Sequence, residues 1–204
     1  MKEQIRAGIF DVGGVLQTNE IKYVYADIMK TLGINEDTFR AAMEKIEQLL
    51  SKGQISEQEF WNRFKAETKA AKDLPKKSLW LREFEKRFTP NDEVLKIVKR
   101  LKAKGLKLAV CSNTIAPHVA FLTQQGIFDD FDVRVFSNEV GIRKPDTQIY
   151  LVTLERLGAQ PSQAFYVDDD AKYLDEARSV GIHSLQFLGA DKLKTDLGKL
   201  GIKL

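Results

Sequence analysis

Ala7-Gly8-Ile9-Phe10-Asp11-Val12-Gly13-Gly14 is the stretch on which the reading of this chain turns. Its apolar run is too short and too uniformly apolar for a surface helix, and it ends in an acidic, glycine-rich loop. It is therefore predicted to be a buried strand with a carboxylate, Asp11, at its carboxyl end. Two later apolar runs end the same way: Leu108-Ala109-Val110-Cys111 in Ser112-Asn113, and Ala164-Phe165-Tyr166-Val167 in Asp168-Asp169-Asp170. Between them Lys144 stands before Pro145. In a parallel sheet the carboxyl ends of neighbouring strands share one edge, so clusters remote in sequence converge on a single crevice.

Beyond Pro90, helices alternate with short strands. Asn91 caps a helix carrying Val94, Ile97, Val98 and Leu101 and ended by Gly105. A strand over Leu106 to Cys111 follows, then a helix from Pro117 to Gln125, a strand over Val133 to Phe136 and a helix opened at its first turn by Pro145. A strand from Phe165 to Val167, a helix from Ala171 to Val180 and a strand from Ser184 to Phe187 complete the pattern. The alternation predicts an α/β fold with a doubly wound, Rossmann-like parallel sheet core. Residues 17–88 instead read as helical throughout. Tyr23, Ile28 and Leu32 fall near helical spacing before Gly33, and Ser56 with Glu59 forms a capping box ahead of Phe60, Trp61 and Phe64. A further helix covers Leu79 to Phe88. This block is too long for a strand connection and is expected to be an inserted all-helical cap, with the core formed by 1–16 and 89–204. Anchored right after Asp11, it would cover the crevice, exclude water and select ligands.

The bulk properties narrow the function. With 204 residues, 43% of them hydrophobic, the chain can bury a core without staples. Its 32 Lys and Arg stand against 29 Asp and Glu with no long basic run, which argues against a nucleic-acid partner. The single Cys111 excludes an intramolecular disulfide, and no apolar stretch is long enough for a membrane span. The expected location is the cytoplasm. Oligomeric state is not legible.

At the end of a buried strand, with Gly13-Gly14 allowing a ligand close to the backbone, Asp11 can act as a nucleophile; an Asx turn is the alternative. The triplet Asp168-Asp169-Asp170 packs like charges together, which a cation would relieve, and few hard oxygen donors suit Mg²⁺. Otherwise it is a solvated acidic turn, with Asp170 capping the next helix. Ser112 and Asn113 offer a hydroxyl and backbone N–H groups to an anionic oxygen, or else cap a helix. Lys144 would neutralise charge during phosphoryl transfer if it lies near Asp11, and is otherwise a solvated loop lysine.

Taken together, Phe10-Asp11-Val12-Gly13-Gly14-Val15-Leu16, Val110-Cys111-Ser112-Asn113, Arg143-Lys144-Pro145-Asp146 and Tyr166-Val167-Asp168-Asp169-Asp170 resemble the motifs of the haloacid dehalogenase superfamily over essentially the whole chain. The resemblance implies Asp11 as nucleophile and Ser112 and Lys144 as phosphoryl-binding groups. It also implies Mg²⁺ held by Asp11, the Gly13 carbonyl and Asp169, with Asp168 supporting. Two departures stand out. Most phosphatases of the family carry a second aspartate, a general acid worth about 10²–10⁴ in rate, where this chain has Gly13. Many carry Asn or Asp where it has Tyr173.

His118, near a helix start, is expected to be a capping or surface residue, and His183 structural. Trp61, Trp80, Phe60, Phe64 and Phe84 read as cap core. Gln17, Thr18, Asn19 and Glu20 could face a substrate or simply form a hinge. The expected activity is Mg²⁺-dependent hydrolysis of a small phosphorylated metabolite through an aspartyl phosphate on Asp11. The alternatives are a phospho-ligand or partner-binding protein without turnover, and a metal-independent 2-haloacid dehalogenase.

Overall fold

The computed structural model describes residues 4–18, 21–70 and 77–204. Five strands, β1 (Ala7–Phe10), β2 (Lys107–Ser112), β3 (Val133–Phe136), β4 (Ala164–Asp168) and β5 (His183–Gln186), pair in parallel in the order β3-β2-β1-β4-β5. Side chains alternate across a strand. Thus Ala7 and Ile9 join Ala109, Cys111, Ala164 and Tyr166 on one face. Phe10 joins Leu108, Val110, Phe165 and Val167 on the other. Helices α8 (Gln148–Leu157) and α9 (Ala171–Ser179) cover the first face with Ile149, Tyr150, Leu154, Leu174 and Ala177. Helices α5 (Asp92–Ala103) and α10 (Ala190–Lys199) cover the second with Val94, Ile97, Val98, Leu101, Leu193 and Leu197. Both faces are buried, as a doubly wound sheet requires. Each fully buried Leu, Ile, Val or Phe contributes about 1.5–3 kcal/mol to that arrangement.

Gly8 lies beside Phe165 across the β1–β4 pairing. A Cβ on Gly8 would come within 2.5 Å of the Phe165 ring. The absence of a side chain there lets Phe165 cross the central strand and pack edge-on against Phe10, centroids 5.7 Å apart.

Four helices, α1 (Ile21–Leu32), α2 (Glu36–Ser51), α3 (Glu57–Thr68) and α4 (Leu79–Glu85), separate β1 from α5. Their interior is aromatic: Trp61 and Trp80 stack at 5.4 Å, and Phe60 and Phe64 at 5.7 Å. Their buried side chains form one contiguous cluster with the α5 and α10 face of the sheet. A polar tie adds to this packing: the Ser137 hydroxyl, on the short helix α7 (Ser137–Val140), donates to the Ser51 carbonyl at 2.6 Å. Among the described residues no helix is long and apolar enough to cross a membrane.

Several local expectations shift. Tyr23 is 46% exposed and Val24 fully buried, so the apolar stripe of α1 runs one residue later than its aromatic side chain suggests. Ser56 accepts from the Glu59 N–H at 3.2 Å, but the Glu59 carboxylate turns to Arg63 at 2.7 Å, so the capping box is half made. The α4 helix stops at Glu85 rather than Phe88. Pro145 does not open α8, which begins at Gln148. Helix α6 (Ala116–Gln124) starts from Ile115 without a side-chain cap, so neither Ser112 nor Asn113 serves as one. The helices α7 and α10 had no counterpart in the sequence reading. Asn19 and Glu20 lie outside the described residues.

Candidate active site

Three adjacent strands deliver the site. Asp11 directly follows β1, its N–H donating to the Val167 carbonyl of β4 at 2.9 Å, while Ser112 ends β2 and Asp168 ends β4. Lys144 enters from the loop between α7 and α8 and is 2% exposed. Its ammonium donates to Asp11 Oδ1 and Asp168 Oδ2, both at 2.7 Å, and to the Tyr166 hydroxyl at 2.9 Å. Tyr166 in turn donates to Asp168 Oδ2. The Asn113 amide holds the Lys144 backbone from both sides: Nδ2 donates to the Lys144 carbonyl at 2.9 Å, and the Lys144 N–H donates to Oδ1 at 2.8 Å. Asp11 and Lys144 are thus an ion pair inside the protein rather than an Asx turn and a solvated loop lysine. Asp170 does cap α9, accepting from the Lys172 N–H at 2.9 Å.

Burial would by itself lower the pKa of Lys144, but Asp11 and Asp168 raise it above the ordinary lysine value, so it stays an ammonium. Burial pushes the Asp11 carboxyl up; Lys144 opposes this and Asp168 adds to it. Asp169, partly desolvated and facing the charges of Asp11 and Asp168, is pushed up to about 6. One oxygen from each of Asp11, Asp168 and Asp169 lies within 4.8 Å of the others. Three carboxylates against the Lys144 ammonium leave a formal excess of two negative charges, which a divalent cation would balance. The all-oxygen donor set suits a hard ion such as Mg²⁺. Asp168 is the most committed of the three, because its Oδ1 also accepts from the Asp170 N–H at 2.9 Å.

A cavity of about 490 Å³ opens above this cluster. Asp11, Gly13, Ser112, Asn113, Lys144, Asp168 and Asp169 form its floor, Tyr25, Glu47 and Phe84 reach in from α1, α2 and α4, and His118 and Leu122 from α6. Arg143 Nη1 donates to Glu47 Oε2 at 2.8 Å, which joins the helical block to the loop carrying Lys144.

Residues 5–181 match the family described as haloacid dehalogenase-like hydrolase. The chain belongs to that family. This hydrolase is 28% identical over 193 residues to a phosphorylated carbohydrates phosphatase of Thermotoga maritima, covering 89% of the chain and 84% of the relative. It is 38% identical over 91 residues to acyl-CoA dehydrogenase family member 10 of Mus musculus, a match to 44% of the chain that spans only 8% of that protein. A HAD family enzyme of Bacteroides thetaiotaomicron, solved in complex with magnesium and inorganic phosphate, superposes with a TM-score of 0.76 at 20% identity, over 89% of this chain and 93% of the other. At that identity the likeness speaks for the fold.

The sequence reading missed several residues of the hydrolase's cavity. His118 is not a surface or capping residue: it is 7% exposed and stacked on Phe84 at 4.1 Å, and burial pushes its pKa down to about 4. The ring of Tyr173, noted only as a departure, lies 4.7 Å from the Lys144 ammonium. Tyr25 and Glu47 carry no local mark, because each reaches the cavity through packing rather than through a motif; Tyr166 stands in the last quoted motif, but its hydrogen bonds with Lys144 and Asp168 are not legible there. Gln17 is buried and lines the cavity.

Proposed function

We propose that this hydrolase is a Mg²⁺-dependent phosphomonoesterase that acts on a small phosphorylated metabolite through an aspartyl phosphate on Asp11. The observation that carries the reading is the Asp11–Lys144–Asp168 ion-pair chain with Asp169 beside it, at one sheet edge on the floor of the cavity. Asp11, Asp169 and the Gly13 carbonyl would hold the ion, with Asp168 in support; when bound, it would supply positive charge to the phosphoryl oxygens and favour the ionised form of Asp11. The Asp11 carboxylate attacks phosphorus, the bond to the leaving oxygen breaks, and water later cleaves the acyl phosphate to restore Asp11. Lys144, fixed by Asn113, balances charge on the phosphoryl group, and Ser112 offers its hydroxyl to a phosphoryl oxygen. The helices α1–α4 act as a cap whose inner residues meet the rest of the substrate.

The cavity volume lies within the usual range for small-molecule sites, about 300–1,000 Å³, and much of it would be taken by phosphate and ion. A sugar phosphate fits that space, and the likeness to the Thermotoga phosphatase supports it. The metal-independent dehalogenase reading is disfavoured, since a haloacid is itself an anion and would meet two unbalanced negative charges. Gly13 favours the binding-protein alternative, which tight ligand binding with no phosphate release would support. The deciding experiment is a survey of phosphate release with Mg²⁺ over sugar phosphates and nucleotides, repeated with Asp11→Asn. We expect the variant to fall to the level of the blank; unchanged release would refute the covalent role.

A further inference from the structure

We infer that the site expels its leaving group without a side-chain acid, with the neutral amide of Gln17 facing the leaving oxygen, and that its substrates carry phosphate on a weakly basic oxygen: acyl, enol or anomeric phosphates rather than esters of simple primary alcohols. This rests on the phosphatase reading and narrows its substrate class. Breaking the phosphorus–oxygen bond leaves an electron pair on the departing oxygen. A simple alkoxide needs a proton as it leaves, whereas an enolate, carboxylate or hemiacetal oxygen needs it less.

The ionisable groups around the cavity are committed elsewhere: Asp168 and Asp169 stand with Asp11 in the acidic cluster, and the Tyr173 ring packs 4.7 Å from the Lys144 ammonium. Lys144 is held between Asp11 and Asp168, Glu47 is paired with Arg143, and Asp170 caps α9. His118 is a neutral imidazole in neutral water, and burial pushes the Tyr25 hydroxyl up to about 12. Lys22 is exposed, its ammonium 5.0 Å from the Tyr23 ring centroid. The open side of the nucleophile is Oδ2, since Lys144 takes Oδ1. On that side a Cβ at position 13 would stand 3.8 Å from Asp11 Oδ2 and 3.8 Å from Gln17 Nε2, with no closer neighbour and no left-handed backbone. Space and conformation both allow a Cβ there, yet the position is glycine and the nearby polar group is an amide. Gln17 is buried and fixed by its backbone, its N–H donating to the Val12 carbonyl at 3.1 Å. It can donate a hydrogen bond to the leaving oxygen but no proton; the proton comes from water after departure. The attack forms the Asp11 oxygen–phosphorus bond as the phosphorus–oxygen bond to the leaving group breaks, and hydrolysis of the acyl phosphate then yields inorganic phosphate.

The test is a series of substituted phenyl phosphates of equal size, with glycerol phosphate as the primary-alcohol member, measured with Mg²⁺ in the wild type, Gly13→Asp and Gln17→Ala. We expect log kcat/KM to fall steeply with leaving-group basicity in the wild type, leaving glycerol phosphate behind 4-nitrophenyl phosphate by about 10²–10⁴-fold, the worth of general-acid help. Gly13→Asp should flatten the slope, and Gln17→Ala should slow the most basic leaving groups most; a merely structural role would lower all members alike. A flat wild-type series, with neither variant changing the slope, would overturn the inference and leave the phosphatase reading standing. Absence of both phosphate release and acid-trapped phosphoenzyme on Asp11 for every member would overturn the phosphatase reading itself.

Discussion

His118 offers the sharpest test of the interior between helices and core. Its imidazole is buried against Phe84, and among the described residues the groups facing it are the Trp80 carbonyl and aromatic rings, with no charged partner. Burial holds its folded pKa at about 4, against 6.5 in the unfolded chain. Between these values the unfolded chain binds a proton that the folded chain refuses, so the stabilising effect is present above pH 6.5 and is lost as pH falls towards 4. A shift of this size corresponds to about 3 kcal/mol in full and about 2 kcal/mol between pH 7 and pH 5. At a urea slope of about 2 kcal/mol/M, that is a midpoint shift of about 1 M. Urea titrations of metal-free wild type and His118→Phe, which preserves a stacked ring without a titrating group, isolate the term. Asp11 and Asp169, whose raised pKa values act in the opposite direction, are present in both proteins and cancel in the difference. We expect the wild type to lose about 2 kcal/mol more than the variant over that interval. Parallel curves would refute the placement of a neutral histidine in a dry wall.

Mg²⁺ at about one hundred times its dissociation constant should stabilise the wild type by about 2.7 kcal/mol. That is a rise of roughly 5–10 °C in Tm, read by calorimetry without any substrate. Asp169→Asn should lose most of the rise, and an equal shift in both proteins would remove Asp169 from the metal set. Gly8→Ala should cost about 1–3 kcal/mol in urea unfolding, because its Cβ would press on Phe165 at 2.5 Å. Gly13→Ala, whose Cβ meets nothing nearer than 3.8 Å, should cost less; the reverse order would contradict the packing described.

The parts of the fold legible in the chain were those written in local pattern. Ala7–Phe10 and Val133–Phe136 are strands over the residues expected, and Asn91 caps α5, accepting from the Val94 N–H at 3.4 Å. Uniform apolar runs bounded by Gly, Asp or Asn leave little choice of structure. Misreadings arose where a local rule had a tertiary competitor. Glu59 had Arg63 within reach and left its capping role, and Tyr23 moved outward, with Arg87 5.3 Å from its ring centroid. The site was legible as four clusters but not as a network. The contacts that assemble it join residues 31 apart for Asn113 and Lys144 and 96 apart for Glu47 and Arg143, and no periodicity records them.

Gly13 and Gly14 make the same point at the closest range. They are indistinguishable as letters, and both were read as giving a ligand access to the backbone. Gly14 has a φ of +71° and faces the Asp169 carboxylate so closely that a Cβ would collide with it, so the fold requires glycine there. Gly13 has ordinary backbone and room for a side chain, so no steric demand explains it. The residue that shapes the acidic cluster and the residue that withholds an acid from it are therefore adjacent, and only the geometry tells them apart. A glycine where a Cβ would meet no close neighbour is not a steric demand, which is why the leaving-group dependence, more than overall rate, is the quantity that characterises this site.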